Sequence, residues 1–216
     1  MSWFKQTCTS SVGKKYIMAA TGFLLGGFLL VHAVGNSSIF WGRQAFNSYA
    51  EHLHSLGILI NIAEVGLLTV FLVHIYTGLT LFLQNRSARE SRYAVQKSAG
   101  GRTWGSRTMP YTGLAILAFI LMHLLNFHFT GQDKPIADIV GPILNNPLYS
   151  IFYALAMLVL GLHISHGFWS VFQSVGINHP KYDGFLRAIS WAGCFVIAGI
   201  FLTLILLLLF SGNQLG

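Results

Sequence analysis

The stretch Thr21-Gly22-Phe-Leu-Leu-Gly-Gly-Phe-Leu-Leu-Val-His32 has a counterpart in Thr112-Gly113-Leu-Ala-Ile-Leu-Ala-Phe-Ile-Leu-Met-His123. Each is a Thr-Gly pair followed by an apolar run and a histidine eleven residues after the threonine. Each lies in an uncharged segment of the ~20 residues that a helix needs to cross a hydrocarbon core. Outward from this repeat the chain shows five such segments: Tyr16–Gly35, Ile58–Leu83, Pro110–Phe129, Leu148–Val175 and Ala188–Phe210. Apart from histidines, Glu64 is the only ionisable acid or base within them. Of the 216 residues 54% are apolar and 9% charged. A soluble domain carries about 25% charged residues, so this chain cannot cover a globule with solvated groups. The expectation is an all-α integral membrane bundle of five transmembrane helices, forming a single domain over residues 1–216.

The connections carry turn and breaker residues: Gly100-Gly101, Gly131, Pro135, Asn145-Asn146-Pro147 and His179-Pro180. No soluble domain fits between the spans. The first run follows Lys14-Lys15, is too long for a signal peptide and lacks a small-residue cleavage site, so it reads as a retained helix. Thirteen Lys and Arg against six Asp and Glu give a formal charge of +7. Eleven of these bases lie on one side: Lys5, Lys14 and Lys15; Arg86, Arg89, Arg92, Lys97, Arg102 and Arg107; Lys181 and Arg187. The other side has Arg43 and Lys134. The positive-inside rule therefore places the N-terminus in the cytoplasm and the C-terminus outside, and no nucleic acid is needed to explain the charge. Cys8 and Cys194 offer neither a disulfide framework nor a CxxC motif, which disfavours metal-thiolate chemistry and covalently attached haem.

The first and third spans run in the same direction, so the repeat sets His32 and His123 at similar depth. The second span carries His74, and the fourth carries His163 and His166. At 1.5 Å per residue, His32 and His123 lie roughly 20–24 Å from the cytoplasmic helix ends, His74 and His163 about 15–18 Å, and His166 roughly 14 Å. Four helices thus each offer a histidine at interior depth, one paired with three above and two with four below. Polar groups in hydrocarbon are costly and usually functional, and neutral imidazole is an axial ligand of haem iron. The pattern reads as two bis-histidine haems stacked across the membrane. Gly22, Gly26, Gly27, Gly78, Gly113, Gly161 and Gly167 would admit a flat macrocycle or, equally, a close neighbouring helix.

These residues resemble a known family. The two Thr-Gly…His segments, His74, and Leu162-His163-Ile-Ser-His166-Gly-Phe-Trp are similar to the five-helix, di-haem cytochrome b subunit of succinate:quinone oxidoreductases. Trp104-Gly-Ser106-Arg107-Thr-Met109 resembles the b558-type branch. The resemblance covers essentially the whole chain and implies a multi-pass protein of the bacterial cytoplasmic membrane. It implies that two haem b are held, the outer, low-potential one by His32 and His123. The inner, high-potential one would be held by His74 and His163, the latter matched through the following Gly167, with His166 as a hydrogen-bond or propionate neighbour. The family further implies an iron–sulfur subunit and a flavoprotein docked on the cytoplasmic face, where succinate and fumarate interconvert, and leaves a dimer of such heterotrimers open. No catalytic residue for the dicarboxylate belongs to this chain.

The chain also departs from the family. Some di-haem fumarate reductases have a glutamate two residues before the helix-four ligand, serving a proton path, and here that position is Gly161. Ala19 and Ser174 stand where relatives carry propionate-holding residues. Arg102, Trp104, Ser106 and Arg107 at the cytoplasmic entry of the third span would supply charge-assisted contacts to the inner haem, or form a positive-inside and aromatic-belt cluster.

The resemblance implies menaquinone near the outer haem, where a quinone needs hydrogen-bond partners and a proton route. Candidates are Glu64, about two turns into the second span, and Tyr49, Glu51, His52 and His54 in the first outer connection. A lone carboxylate embedded in a bilayer suits a proton acceptor, or else marks a water-accessible bundle end. The stretch Ala45–Leu56 also reads as a short amphipathic surface segment. Two other functions compete. The di-haem anchor of a nitrate reductase or hydrogenase would place its histidines differently, and a non-haem transporter or assembly protein would carry broken helices around a central site.

Overall fold

A computed structural model describes residues 2–87, 104–130, 133–177 and 179–210. Among them are eight α-helices and no strand. A short α1 (Trp3–Thr9) ends at Ser10, whose extended backbone turns the chain and whose hydroxyl oxygen accepts from Gly13 N at 3.0 Å, capping α2 (Ser11–Asn36). A 3-10 turn (Ser37–Trp41) follows. Gly42, at φ 100°, then supplies the left-handed turn into α3 (Arg43–His54). The chain continues as α4 (Ile58–Ser87) and α5 (Trp104–His123), which runs into a π turn (Leu124–His128). Last come α6 (Ile136–Leu144), α7 (Pro147–Ser174) and α8 (Pro180–Phe210).

Five helical segments, containing α2, α4, α5, α7 and α8, are long and apolar enough to cross a membrane. Large apolar side chains stand exposed on all of them, among them Val31, Ile62, Leu114, Leu158 and Phe195. A surface of that composition is stable only with lipid as its solvent, so the chain is a multi-pass membrane protein.

Four spans form a ring in which α2 touches α4, α4 touches α5, α5 touches α7 and α7 returns to α2. In this ring α2 lies diagonally across from α5, and α4 across from α7. The α4–α5 side is the slightest of the four, and Thr77 is the only buried residue of α4. The helix α8 packs outside the ring along α7, where Cys194 Sγ donates to the Gly161 carbonyl at 3.1 Å. The apolar core follows this seam: Tyr153, Met157, Leu160 and Ile164 of α7 meet Cys194, Ile197, Leu204, Ile205 and Leu208 of α8.

One end of the ring is capped by α3 and α6. Arg43 pairs with Asp138 at 2.5 Å, and Asn47 Oδ1 accepts from Ala137 N at 3.0 Å. Beneath these polar ties Ile39, Phe46, Ala137, Val140 and Leu144 are buried. The opposite, basic end carries Lys14, bonded to Gln84 at 3.0 Å, and Arg107, Lys181 and Arg187.

The spans outrun the apolar segments that mark them. The first begins at Ser11 rather than Tyr16, the second ends at Ser87 rather than Leu83, the third begins at Trp104 rather than Pro110, and the fifth begins at Pro180 rather than Ala188. A helix of 30 residues is ~45 Å long against ~30 Å of hydrocarbon, so its last turns reach the headgroups and accept polar residues. The expected surface segment Ala45–Leu56 falls on α3 and the turn after it, anchored by Phe46 at 2% exposure. The helix α6 lies between Pro135 and Asn145-Asn146-Pro147, which read as turn chemistry alone.

Candidate functional site: histidines in two levels

In α2, Thr21 donates its hydroxyl proton to the Ile17 carbonyl at 2.7 Å, a bond within its own helix. Its oxygen then faces His74 Nδ1 of α4 at 3.1 Å. With the hydroxyl proton already placed, that contact is satisfied when Nδ1–H donates, which leaves the lone pair on Nε2. The neighbouring Gly22 completes the seat, because a Cβ there would lie 3.3 Å from His74 Cε1.

The same seat occurs on the other side of the ring. Thr112 of α5 donates to the Thr108 carbonyl at 3.0 Å and faces His163 Nδ1 of α7 at 3.0 Å. A Cβ on Gly113 would lie 3.5 Å from His163 Cε1. His163 is within electrostatic reach of His74, its diagonal counterpart, and of His166.

Eleven residues further along α2 and α5, ~16 Å of helix rise, sit the other two histidines. The rings of His32 and His123 are 5.9 Å apart, centroid to centroid, and nearly perpendicular at 82°. Phe28 stacks on His32 at 5.3 Å, and Phe201 of α8 lies 5.6 Å away. Phe119, Phe127 and Tyr153 surround His123 at 5.6, 5.1 and 6.3 Å. The π turn after His123 turns Phe127 onto this ring and lets Asn126 Nδ2 donate to Tyr153 Oη at 3.0 Å. The Asn36 amide is 3.3 Å from His32 Nδ1, whereas His123 Nδ1 is buried without a partner among the described residues. The two levels are thus farther apart than counting from the helix ends suggests, because His74 lies beside Thr21, eleven residues before His32 on α2.

The remaining expected site residues are spread over both ends. His166 is half-buried in a cluster at the basic end, with its ring 5.7 Å from Trp169. There Trp169 Nε1 donates to Asp183 Oδ1 at 3.0 Å, Arg187 Nε donates to Asp183 Oδ2 at 2.8 Å, and the guanidinium lies 4.3 Å over the Trp169 ring. Ser106 is half-buried in the first turns of α5 and Arg107 is exposed. Arg102 and the side chain of Trp104 lie outside the described residues.

At the capped end Glu64 is exposed on α4, and Glu51, His52 and His54 are exposed on α3. Tyr49 turns inward instead, its hydroxyl 2.1 Å from where a Cβ on Gly35 would stand. Of these residues Glu51 alone lines the polar cavity of about 640 Å³ formed with Trp41, Gly42, Arg43, Gln44, Asn47 and Ser48. Of the glycines, Gly26 meets Phe168, Gly78 meets Met18 and Gly161 meets Cys194, which is helix packing, while Gly27 and Gly167 face open space.

Sequence reasoning tied each Thr-Gly pair to the histidine of its own helix, whereas the structure seats the histidine of the next span there. A second repeat carries the missing signal: His74-Ile-Tyr-Thr-Gly78 and His163-Ile-Ser-His-Gly167 share His-Ile-x-x-Gly. In that register His163 matches His74, and His166 matches Thr77.

These residues suit a haem better than a bare ion. No group of three or more His, Cys, Asp or Glu able to hold a metal stands together among the described residues. A macrocycle that supplies four ligands needs only two imidazoles, and the ring brings His32 and His123 together on diagonal helices. Nitrogen–metal bonds of about 2.0–2.1 Å would set two ligating rings on the order of 6 Å apart, and the His32–His123 spacing of 5.9 Å meets this.

Over 157 residues, 71% of its length, the chain is 26% identical to the succinate dehydrogenase cytochrome b558 subunit of Bacillus subtilis (strain 168), covering 74% of that protein. Over 61 residues, 28% of its length, it is 41% identical to the succinate dehydrogenase hydrophobic membrane anchor subunit of Halobacterium salinarum, covering 46% of that one. No protein-family model and no solved structure matches the chain. In its five apolar spans and over the aligned stretches, the chain is similar to these membrane subunits of succinate dehydrogenase.

Proposed function

We propose that this chain is a di-haem electron carrier that links menaquinone, at the capped end, to iron–sulfur and flavoprotein subunits docked at the basic end, where succinate and fumarate interconvert. The observation that carries the reading is the pair of matching seats, Thr21-Gly22 under His74 and Thr112-Gly113 under His163, one level below the facing His32 and His123. His74 and His163 would hold the inner haem, and His32 and His123 the outer one. When bound, the two haems supply one-electron redox centres across the bilayer. The chain's own part is to present unprotonated imidazole nitrogens, to keep water from both levels with the apolar ring, and to space the levels along the membrane normal.

The concentration of Lys and Arg at the basic end supports a cytoplasmic N-terminus and gives the partner subunits a positive surface. There His166, Ser106, Arg107, Arg102 and Trp104 would serve the inner propionates. At the capped end Glu64 would take protons from quinol, with Tyr49, Glu51, His52 and His54 near the route outward. The test is spectroscopic. In the complex purified with its partner subunits, succinate should reduce a b-type absorbance, and a menaquinone analogue should reoxidise it. A folded complex with no b-type absorbance would end this reading.

A further inference from the structure

The two seats do more than hold a shape. Each threonine hydroxyl spends its proton on its own helix, so what it offers the imidazole is a lone pair: Thr21 at 3.1 Å from His74 Nδ1, Thr112 at 3.0 Å from His163 Nδ1. An Nδ1–H that donates to oxygen makes its ring a stronger donor at Nε2 and fixes both tautomer and orientation. Both residues are buried, at 8% and 7% exposure, so water does not compete for the bond. The capped-end level has no such arrangement. His32 faces an amide at 3.3 Å and His123 Nδ1 has no partner among the described residues.

We propose that Thr21 and Thr112 are positioning residues that orient His74 and His163 toward one iron and hold the potential of that haem, and not the other, below its value without them. The inference rests on the di-haem reading above. Its physical basis is that a more strongly donating imidazole favours oxidised iron, so removing the oxygen should raise the midpoint potential. Valine keeps the size and branching of threonine and removes the oxygen, while serine keeps the oxygen and removes the methyl group.

The experiment is a redox titration of the haem absorbance in the purified three-subunit complex, with a pyridine haemochrome count on each preparation. Thr21→Val and Thr112→Val should each move the same haem upward, the one lost in His74→Ala and His163→Ala, and leave the other midpoint unchanged. Thr21→Ser and Thr112→Ser should titrate like the parent. If a valine variant loses that haem, retention at the parental potential in the matching serine variant still supports the hydroxyl role, and loss in both overturns it. Valine variants with two parental midpoints, or with a shift in the haem that depends on His32 and His123, would also overturn it. A parental complex with two haems and unmoved potentials defeats this inference alone. A folded parental complex without haem defeats the di-haem reading with it.

Discussion

At the scale of single residues, the choice on α7 between His163 and His166 turns on what each ring faces. His163 sits on Thr112 and Gly113 as His74 sits on Thr21 and Gly22, whereas His166 lies one turn nearer the basic end beside Trp169 and within reach of Arg187. A histidine beside a permanent cation and an indole is placed to contact anionic groups at the membrane surface. Replacing His163 with alanine should therefore cost one of two haems in a haemochrome assay. His166→Ala should keep both, and the reverse pattern would transfer the ligand role to His166. The histidines of this candidate site stood out because an imidazole inside an apolar run has few uses. Their partners were not, because each threonine lies 51 or 53 positions from the histidine it meets. A sequence read along one helix does not show which face a neighbour brings to it.

Among elements, the capped end shows how tightly the connections are built. Gly35, near the end of α2, lies under Tyr49 of α3, and a methyl group there would stand 2.1 Å from Oη and 2.4 Å from Cζ. Both the hydroxyl and the ring would have to move, and the ring sits in a helix pinned by Phe46 and by the Arg43–Asp138 pair. Gly35→Ala should destabilise the cap by ~1–3 kcal/mol, seen as a lower thermal midpoint of the detergent-solubilised complex. Adding Tyr49→Ala should recover part of the loss, and a Gly35→Ala protein melting like the parent would contradict the packing described. Span number was readable because hydrocarbon imposes a length on any helix that crosses it. Span ends were less so, since the last turns lie in the headgroup region and resemble loops in composition. The π turn after His123 has no such signature: Leu124–His128 continues the apolar pattern, and only the fold shows the wider turn that brings Phe127 and Asn126 to His123 and Tyr153.

Seen whole, the ring is two copies of one device. α2 with α4, and α5 with α7, each join a Thr-Gly seat and a distal histidine on one helix to a His-Ile-x-x-Gly segment on the next. Each copy places one imidazole at the lower level and one at the upper, so under the proposed function neither copy would complete a two-ligand site alone. This accounts for the diagonal placement of the four histidines and for α8 standing outside the ring without one. It also explains why the repeat indicated which histidines share a level but only their approximate depth: the shared level follows from symmetry, whereas depth follows from where each helix begins. The central claim is that the duplicated device yields two separate bis-histidine sites, and a pyridine haemochrome determination on the purified complex tests it most directly. The account predicts two haems b per chain in the parent and one in each of His32→Ala, His74→Ala, His123→Ala and His163→Ala. A parent with a single haem, or variants at one level that keep both, would contradict it.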